Sequence, residues 1–321
     1  MKKGTVIALI AAAILIVAGG ILLMLGLSFA GGSVVTPMPA EKSYVVDAPF
    51  ESIRVETDTC DVDFQKTDGE FRVVCPDSEK FSYTVTVEET ALCIRQVDLR
   101  QWYDFIGIHL VEEKITVYLP EETYDVLYIE TDTGDIGLPD PFTFTSATLL
   151  SDTGDVAFAA QVIEELSVTT DTGDIGIQGV SCKVVTCESD TGDKAFRQVQ
   201  AEQYIRSVST TGDVTLESCD AGTLEIQSST GDVTLCNVLL TGQMKLRTTT
   251  GDVNILSCDA DTADIQTSTG DVSGNFLTSK WFRASSDTGK VSVPPTRDGG
   301  ECYIVTNTGD ITFSYSPDQR D

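Results

Sequence analysis

Two carboxylates three positions apart, repeated four times in succession, are the residues best placed to do chemistry in this sequence. They are Asp132 and Asp135, Asp152 and Asp155, Asp171 and Asp174, and Asp190 and Asp193, each pair enclosing Thr-Gly. Gathered into one cluster they would suit calcium, a hard cation that takes about six to eight oxygen ligands. Calcium is the one cofactor the pattern suggests, and holding it would raise the unfolding temperature. The spacing matches neither an EF-hand loop nor the glycine-rich nonapeptide repeat. The competing reading is structural, with each aspartate bonded to the amides of a turn. Adjacent carboxylates could also act as acid and base on a glycosidic bond. A catalytic site is a local departure from a pattern, however, and these aspartates are the pattern itself. The departures are Lys194, Gly274 and Lys290, and neither lysine belongs to an evident acid/base constellation. The single histidine, His109, removes a two-histidine metal site and leaves a Ser/His/Asp triad to one residue without a supporting motif.

The element that must position these aspartates is a repeat. Thr-Gly recurs with glycines at 134, 154, 173, 192, 212, 231, 251, 270, 289 and 309, at intervals of 19 or 20 residues. Aspartate follows nine of the ten glycines, Lys290 being the exception, and Thr59-Cys60-Asp61 resembles a degenerate earlier copy. Two and four places after the glycine stand apolar residues such as Val156 and Phe158, Ile175 and Ile177, and Val214 and Leu216. Seven and five places before it stand others, such as Leu166 and Val168, Leu224 and Ile226, and Met244 and Leu246. Spacing by two is the strand period with one face buried, and the change of parity between the pairs requires a corner at Thr-Gly-Asp. Two short strands cannot bury an apolar face alone, so successive copies must stack.

The pattern predicts an all-β fold, a parallel β-solenoid of about ten 19–20-residue rungs over residues 131–316. Its rod would be roughly 45 to 50 Å long at about 4.8 Å per rung. A β-propeller needs about 40 residues per blade, twice this period. An antiparallel two-stranded meander in each repeat is the harder rival to exclude. Stacking sets Asp135, Asp155, Asp174, Asp193, Asp213, Asp232, Asp252 and Asp271 in one column, with Asp310 expected to resume it after Lys290. Unit charges at that spacing repel by about 0.9 kcal/mol in water and about 3.5 kcal/mol at a dielectric of 20. The carboxylates must therefore be solvated, hydrogen-bonded or shared with cations, and Lys290 is read as relieving repulsion near the end of the rod.

Upstream, residues 44–130 read as a strand-rich module capping the solenoid, with alternation in Phe81, Tyr83, Val85 and Val87. The aromatic stretch 101–109 is read as a hydrophobic plug, with a ligand-contacting loop as the alternative. Residues 31–43 form a Gly/Ser/Pro linker and residues 317–321 a tail. The stretch 6–30 carries no charged side chain, and as a helix it would span roughly 37 Å, enough to cross a membrane. It is expected to be a single transmembrane helix. A cleaved signal peptide competes, since Ser28 and Ala30 offer a peptidase site, although secretory apolar cores usually run about 7 to 15 residues. Lys2 and Lys3 keep the short end, residues 1–5, in the cytoplasm, and the bulk of the chain is expected on the extracytoplasmic side of the cell membrane.

Of the 321 residues, 50 are acidic and 21 basic, for a net charge of -29. Such a surface repels phosphates, which excludes nucleic acid as a partner. The apolar fraction, 41%, is enough to bury a core, so the charge belongs to a folded surface. Nine cysteines cannot all pair internally. Cys219 and Cys258 occupy an offset filled elsewhere by Val180, Val199, Val238 and Leu277, and they stand two rungs, roughly 10 Å, apart. A disulfide reaches about 7 Å between Cα atoms. Buried free thiols are the expectation.

The apolar N-terminal stretch, the Val117-Tyr-Leu-Pro120 ending of the strand module and the reiterated Thr-Gly-Asp-Val or Thr-Gly-Asp-Ile steps together resemble a bacterial family of β-strand-repeat proteins of unknown function named putative adhesins. The resemblance spans about residues 44–315 and implies an envelope-associated β-solenoid, some relatives acting in envelope stress responses. It supplies no catalytic residue. The resulting expectation is a non-enzymatic, membrane-tethered surface for adhesion, interaction or stress sensing, with cationic peptides, basic protein domains or envelope polymers as partners. A structural envelope scaffold and a carboxylate-based polysaccharide enzyme are the alternatives.

Overall fold

The computed structural model describes residues 40–78, 80–100 and 113–315. Every regular element in them is a strand, and among them no helix is long and apolar enough to cross a membrane. The apolar stretch 6–30 and the aromatic stretch 101–109 with His109 lie outside the described residues.

Two parallel sheets run the length of the repeat region. Short strands such as Val156–Phe158, Ile175–Gln178, Lys194–Arg197 and Val214–Glu217 build one sheet. Long strands such as Thr143–Thr153, Gln161–Thr172, Ser181–Thr191 and Gln200–Thr211 build the other. Between the two ends, each strand pairs in parallel with the equivalent strand one repeat on, Val156 with Ile175 in the first sheet and Leu149 with Val168 in the second. This is the parallel β-solenoid, and it removes the antiparallel meander. Pairing between equivalents puts like side chains in columns, so Leu127, Ala147, Leu166, Val185, Ile205 and Leu224 all face the interior, each no more than 1% exposed. The apolar pairs on either side of each Thr-Gly-Asp fill a single core between the sheets.

Two corners turn each rung. One is the Thr-Gly-Asp step. The other lies six residues after the glycine, where Gln198, Ser218, Asn237 and Ser257 adopt φ of 53 to 54° and Gly179 69°. A left-handed conformation costs a non-glycine residue about 1–2 kcal/mol. Here the amides of Gly179, Gln198, Ser218 and Asn237 each bond to a backbone carbonyl of the next rung, for example Gln198 N–H to Glu217 O at 2.9 Å, and that of Ser257 bonds to Asn275 Oδ1 at 3.2 Å, so the column as a whole holds the turn.

At both ends the spatial order of the rungs departs from chain order. Ser52–Thr57 and Asp61–Lys66 lie directly against Thr123–Thr131 and Ile136–Leu138, while Ala91–Asp98 and Lys114–Leu119, which come between them in sequence, are stacked outside. The degenerate copy at Cys60 is therefore a true rung. At the other end Gly300–Thr308 and Ile311–Tyr315 insert beneath Lys280–Ser286 and Val291–Ser292. This corrects one expectation: Asp310 follows Asp271 directly, and Lys290 is outermost. The first strand, Ala40–Val45, starts within the stretch read as a linker and pairs antiparallel with Arg72–Asp77. Aromatic side chains close the ends of the core, Phe50, Phe71, Tyr124 and Phe144 at one and Phe276, Phe282 and Phe313 at the other.

Candidate functional site

The repeated Thr-Gly-Asp corner is where the acidic residues gather. Its glycine is needed for close approach: a Cβ on Gly212 would lie 2.1 Å from the carbonyl oxygen of Gly192, at a φ of 133°. With no side chain in the way, the rungs stack closely enough for each aspartate to reach the next. Asp61 Oδ1 accepts the amide N–H of Asp135 at 2.9 Å, and Asp135 Oδ1 that of Asp155 at 2.8 Å. The relay continues through Asp174, Asp193, Asp213, Asp232, Asp252 and Asp271 to Asp310, each link 2.7 to 2.8 Å. It ends when Asp310 Oδ1 accepts the N–H of Lys290 at 2.8 Å. Lys290 heads the last rung with no further amide to receive, so an acceptor side chain is not required there. A hydrogen bond to a charged acceptor contributes about 1.5–3 kcal/mol, which offsets the repulsion of about 0.9 kcal/mol between solvated neighbours.

Asp135, Asp155, Asp174 and Asp193 thus stand in one column, exposed, with one oxygen of each already engaged. Asp132, Asp152, Asp171 and Asp190 form a second exposed row beside it, extended by Thr210, whose Oγ1 donates to Asp190 Oδ1 at 3.4 Å. The structure brings all eight candidate ligands to one corner of the rod as two rows. Among the described residues no group of three or more His, Cys, Asp or Glu side chains converges as a metal centre.

One row was missed in the sequence. Three places before each glycine stands a serine or threonine, and Thr131, Ser151, Thr170, Ser189, Ser209, Ser228, Thr248, Thr267 and Thr306 are buried. Several donate to the glycine carbonyl of the preceding rung, as Thr170 does to Gly154 at 3.3 Å and Thr306 to Gly270 at 3.1 Å. The signal was available, because this position continues the inward parity of the two apolar positions before it.

The departures have structural places. A Cβ on Gly274 would lie 2.0 Å from the carbonyl oxygen of Ile255. Lys194 is 1% exposed and pairs in register with Ile175 and Val214. Its Nζ has no hydrogen-bond partner. Burial lowers its pKa to about 8 from 10.5, against the opposing pull of Asp193 and Asp190. In the neighbouring rung Ser207, paired with Cys187, takes a place that is apolar in most rungs, and its Oγ is also unpartnered. All nine cysteines are free, and burial pushes the thiols of Cys182 and Cys258 up to about 11 and about 12.

A family model, Toastrack DUF4097, matches residues 50–210 and 203–321. Comparison with curated proteins returns no match. Among solved structures, a putative adhesin from Parabacteroides distasonis is 10% identical over 85% of this chain and 96% of its own, with a TM-score of 0.37. A putative adhesin from Bacteroides fragilis is 13% identical over 86% of this chain and 96% of its own, with a TM-score of 0.35. A protein described as a putative lipid binding protein, also from P. distasonis, is 12% identical over 86% and 97%, with a TM-score of 0.44.

Proposed function

The chain belongs to the Toastrack DUF4097 family, and on that footing we propose that it is a non-enzymatic, membrane-tethered surface protein whose solenoid presents acidic rows to cationic ligands outside the cytoplasm. The observation that carries this reading is the aspartate corner. Its carboxylates are exposed at every rung from Asp135 to Asp271, and the relay of amide bonds holds them in fixed register. A rigid row of charges about 4.8 Å apart favours multivalent binding, in which each additional contact is made at high effective concentration. Cationic peptides, basic protein domains and cationic parts of envelope polymers have the matching chemistry. The departures from the repeat, Lys194, Gly274 and Lys290, each have a place in the core or at a rod end, which supports an interaction surface over a catalytic site. Tethering through residues 6–30 would keep this surface at the membrane.

The test is binding of the full chain to a lysine-rich peptide at rising salt. Affinity should fall steeply with ionic strength. Equal binding to a neutral peptide of the same length would remove the electrostatic basis. Fractionation of cells, with protease added from outside, tests the tether: the solenoid should sediment with membranes and be cleaved.

A further inference from the structure

A recess lies away from the aspartate corner, at the start of the long strands. It is a groove of about 890 Å³ crossing five rungs. Its floor holds Val162, Cys182, Ala201, Ala221 and Leu240, the last four successive neighbours in parallel register. Phe144 fills the same column one rung before Val162. Three consecutive small residues between larger ones leave the recess. The long strands also shift register here, between Cys182 and Val184 and between Ala201 and Tyr204, and such bulges bend a strand and turn its first residues away from the flat face. Ile163, 46% exposed, and Leu239, 38% exposed, give the groove apolar edges. Glu202 and Asp220 add carboxylates with no basic side chain in ion-pairing distance among the described residues, whereas Lys183 is neutralised by Glu164 at 2.7 Å.

We propose that this groove binds a short, extended cationic peptide segment lying along the rod axis; the proposal rests on the cationic-ligand reading above. Five rungs span roughly 19 Å, the length of about six extended residues at about 3.3 Å each. Alternate side chains of such a segment point the same way, so small or medium apolar groups enter the floor while lysines or arginines between them meet Glu202 and Asp220 at the rim. Polar rim residues such as Ser181 and Gln200 can bond the segment's backbone, a feature useless to a hydrocarbon chain. An anionic lipid would bring its head group against these carboxylates on a chain of net charge -29, which is why the peptide is the occupant argued for.

The experiment uses the full chain and a fluorescein-labelled, end-blocked Lys-Val-Lys-Val-Lys-Val hexapeptide, followed by fluorescence anisotropy. Ala201→Phe fills the floor, Glu202→Lys reverses an exposed rim charge, and Asp68→Lys makes the same charge change on a distant exposed loop. Ala201→Phe and Glu202→Lys should each weaken binding at least tenfold and Asp68→Lys less than twofold, with unfolding temperatures checked for all three. If Ala201→Phe does not fold, Glu202→Lys against Asp68→Lys decides. Salt-dependent binding unchanged in the groove variants would overturn the groove while leaving the acidic surface as the binding site. Binding without salt dependence would take down the cationic-ligand reading itself. If the hexapeptide fails to bind but cis-parinaric acid binds and is lost on Ala201→Phe, the groove is an acyl-chain site and the peptide proposal is wrong.

Discussion

Replacing Lys194 with isoleucine should stabilise the protein, and the gain should depend on pH. The column that Lys194 interrupts holds Ile136, Val156, Ile175, Val214, Val233 and Val253, all buried, so isoleucine fits its surroundings. Burial without a hydrogen-bond partner lowers the lysine pKa from 10.5 to about 8. That fall corresponds to a penalty of about 3 kcal/mol on the ammonium form in the folded state. The sign follows from where the proton sits. Below pH 8 folded and unfolded chains are both protonated, and the full penalty applies. Between 8 and 10.5 the folded chain has lost the proton while the unfolded chain still binds it, so stability rises with pH. Above 10.5 both are neutral and the penalty is gone. Lys194→Ile should therefore gain about 3 kcal/mol at pH 7 and much less near pH 10. Guanidinium unfolding of wild type and variant at both pH values measures this. A variant less stable at pH 7, or a gain equal at the two pH values, would refute the argument that an unpaired buried cation sits in this core.

Gly212→Ala should destabilise by about 3 kcal/mol or more, since it adds a backbone clash to a strained φ; thermal unfolding checks it. Asp193→Ala leaves the Asp213 amide without its acceptor and should cost about 1–2 kcal/mol, whereas Asp193→Asn keeps a carbonyl oxygen in place and should cost less. Similar losses for the two would show that charge, not the relay, is what matters there. Nine thiols should titrate in denaturant without prior reduction, and very few in the native protein; a count below nine would reveal a disulfide. A calcium site on the doubled rows predicts that millimolar calcium raises the unfolding temperature more than magnesium at equal ionic strength, and equal shifts would mean charge screening alone.

Much of the rung was legible because its signals are local and repeated. The apolar positions seven and five before each glycine and two and four after it all turned inward, and the parity switch marked a real corner. The aspartates were legible as a column, and hydrogen bonding to amides was one of the options their repulsion left open. What the column does was not legible, because the acceptor lies one rung away and the distance depends on how closely the glycines stack. The row of serines and threonines before each glycine was visible in type but was read past. Lys194 was visible as a departure, but a lysine can occupy an inward position by stretching its amine to solvent, and only the packed neighbours show that it does not. The groove depends on where the long strands bend, and no residue type announces that bend.

The sequence by itself determined the unit of this protein: a 19–20-residue rung, its two strands, its glycine corner and its acidic row, because strand alternation and turn chemistry act over a few residues. The tertiary structure decided the order of the rungs. One copy resembles another closely enough that Ile311–Tyr315 and Val291–Ser292 both present strands able to pair with the rung ahead of them, and pairing between rungs is a long-range choice that local pattern does not encode. The same choice set Lys290 at the end of the aspartate relay and Asp310 within it.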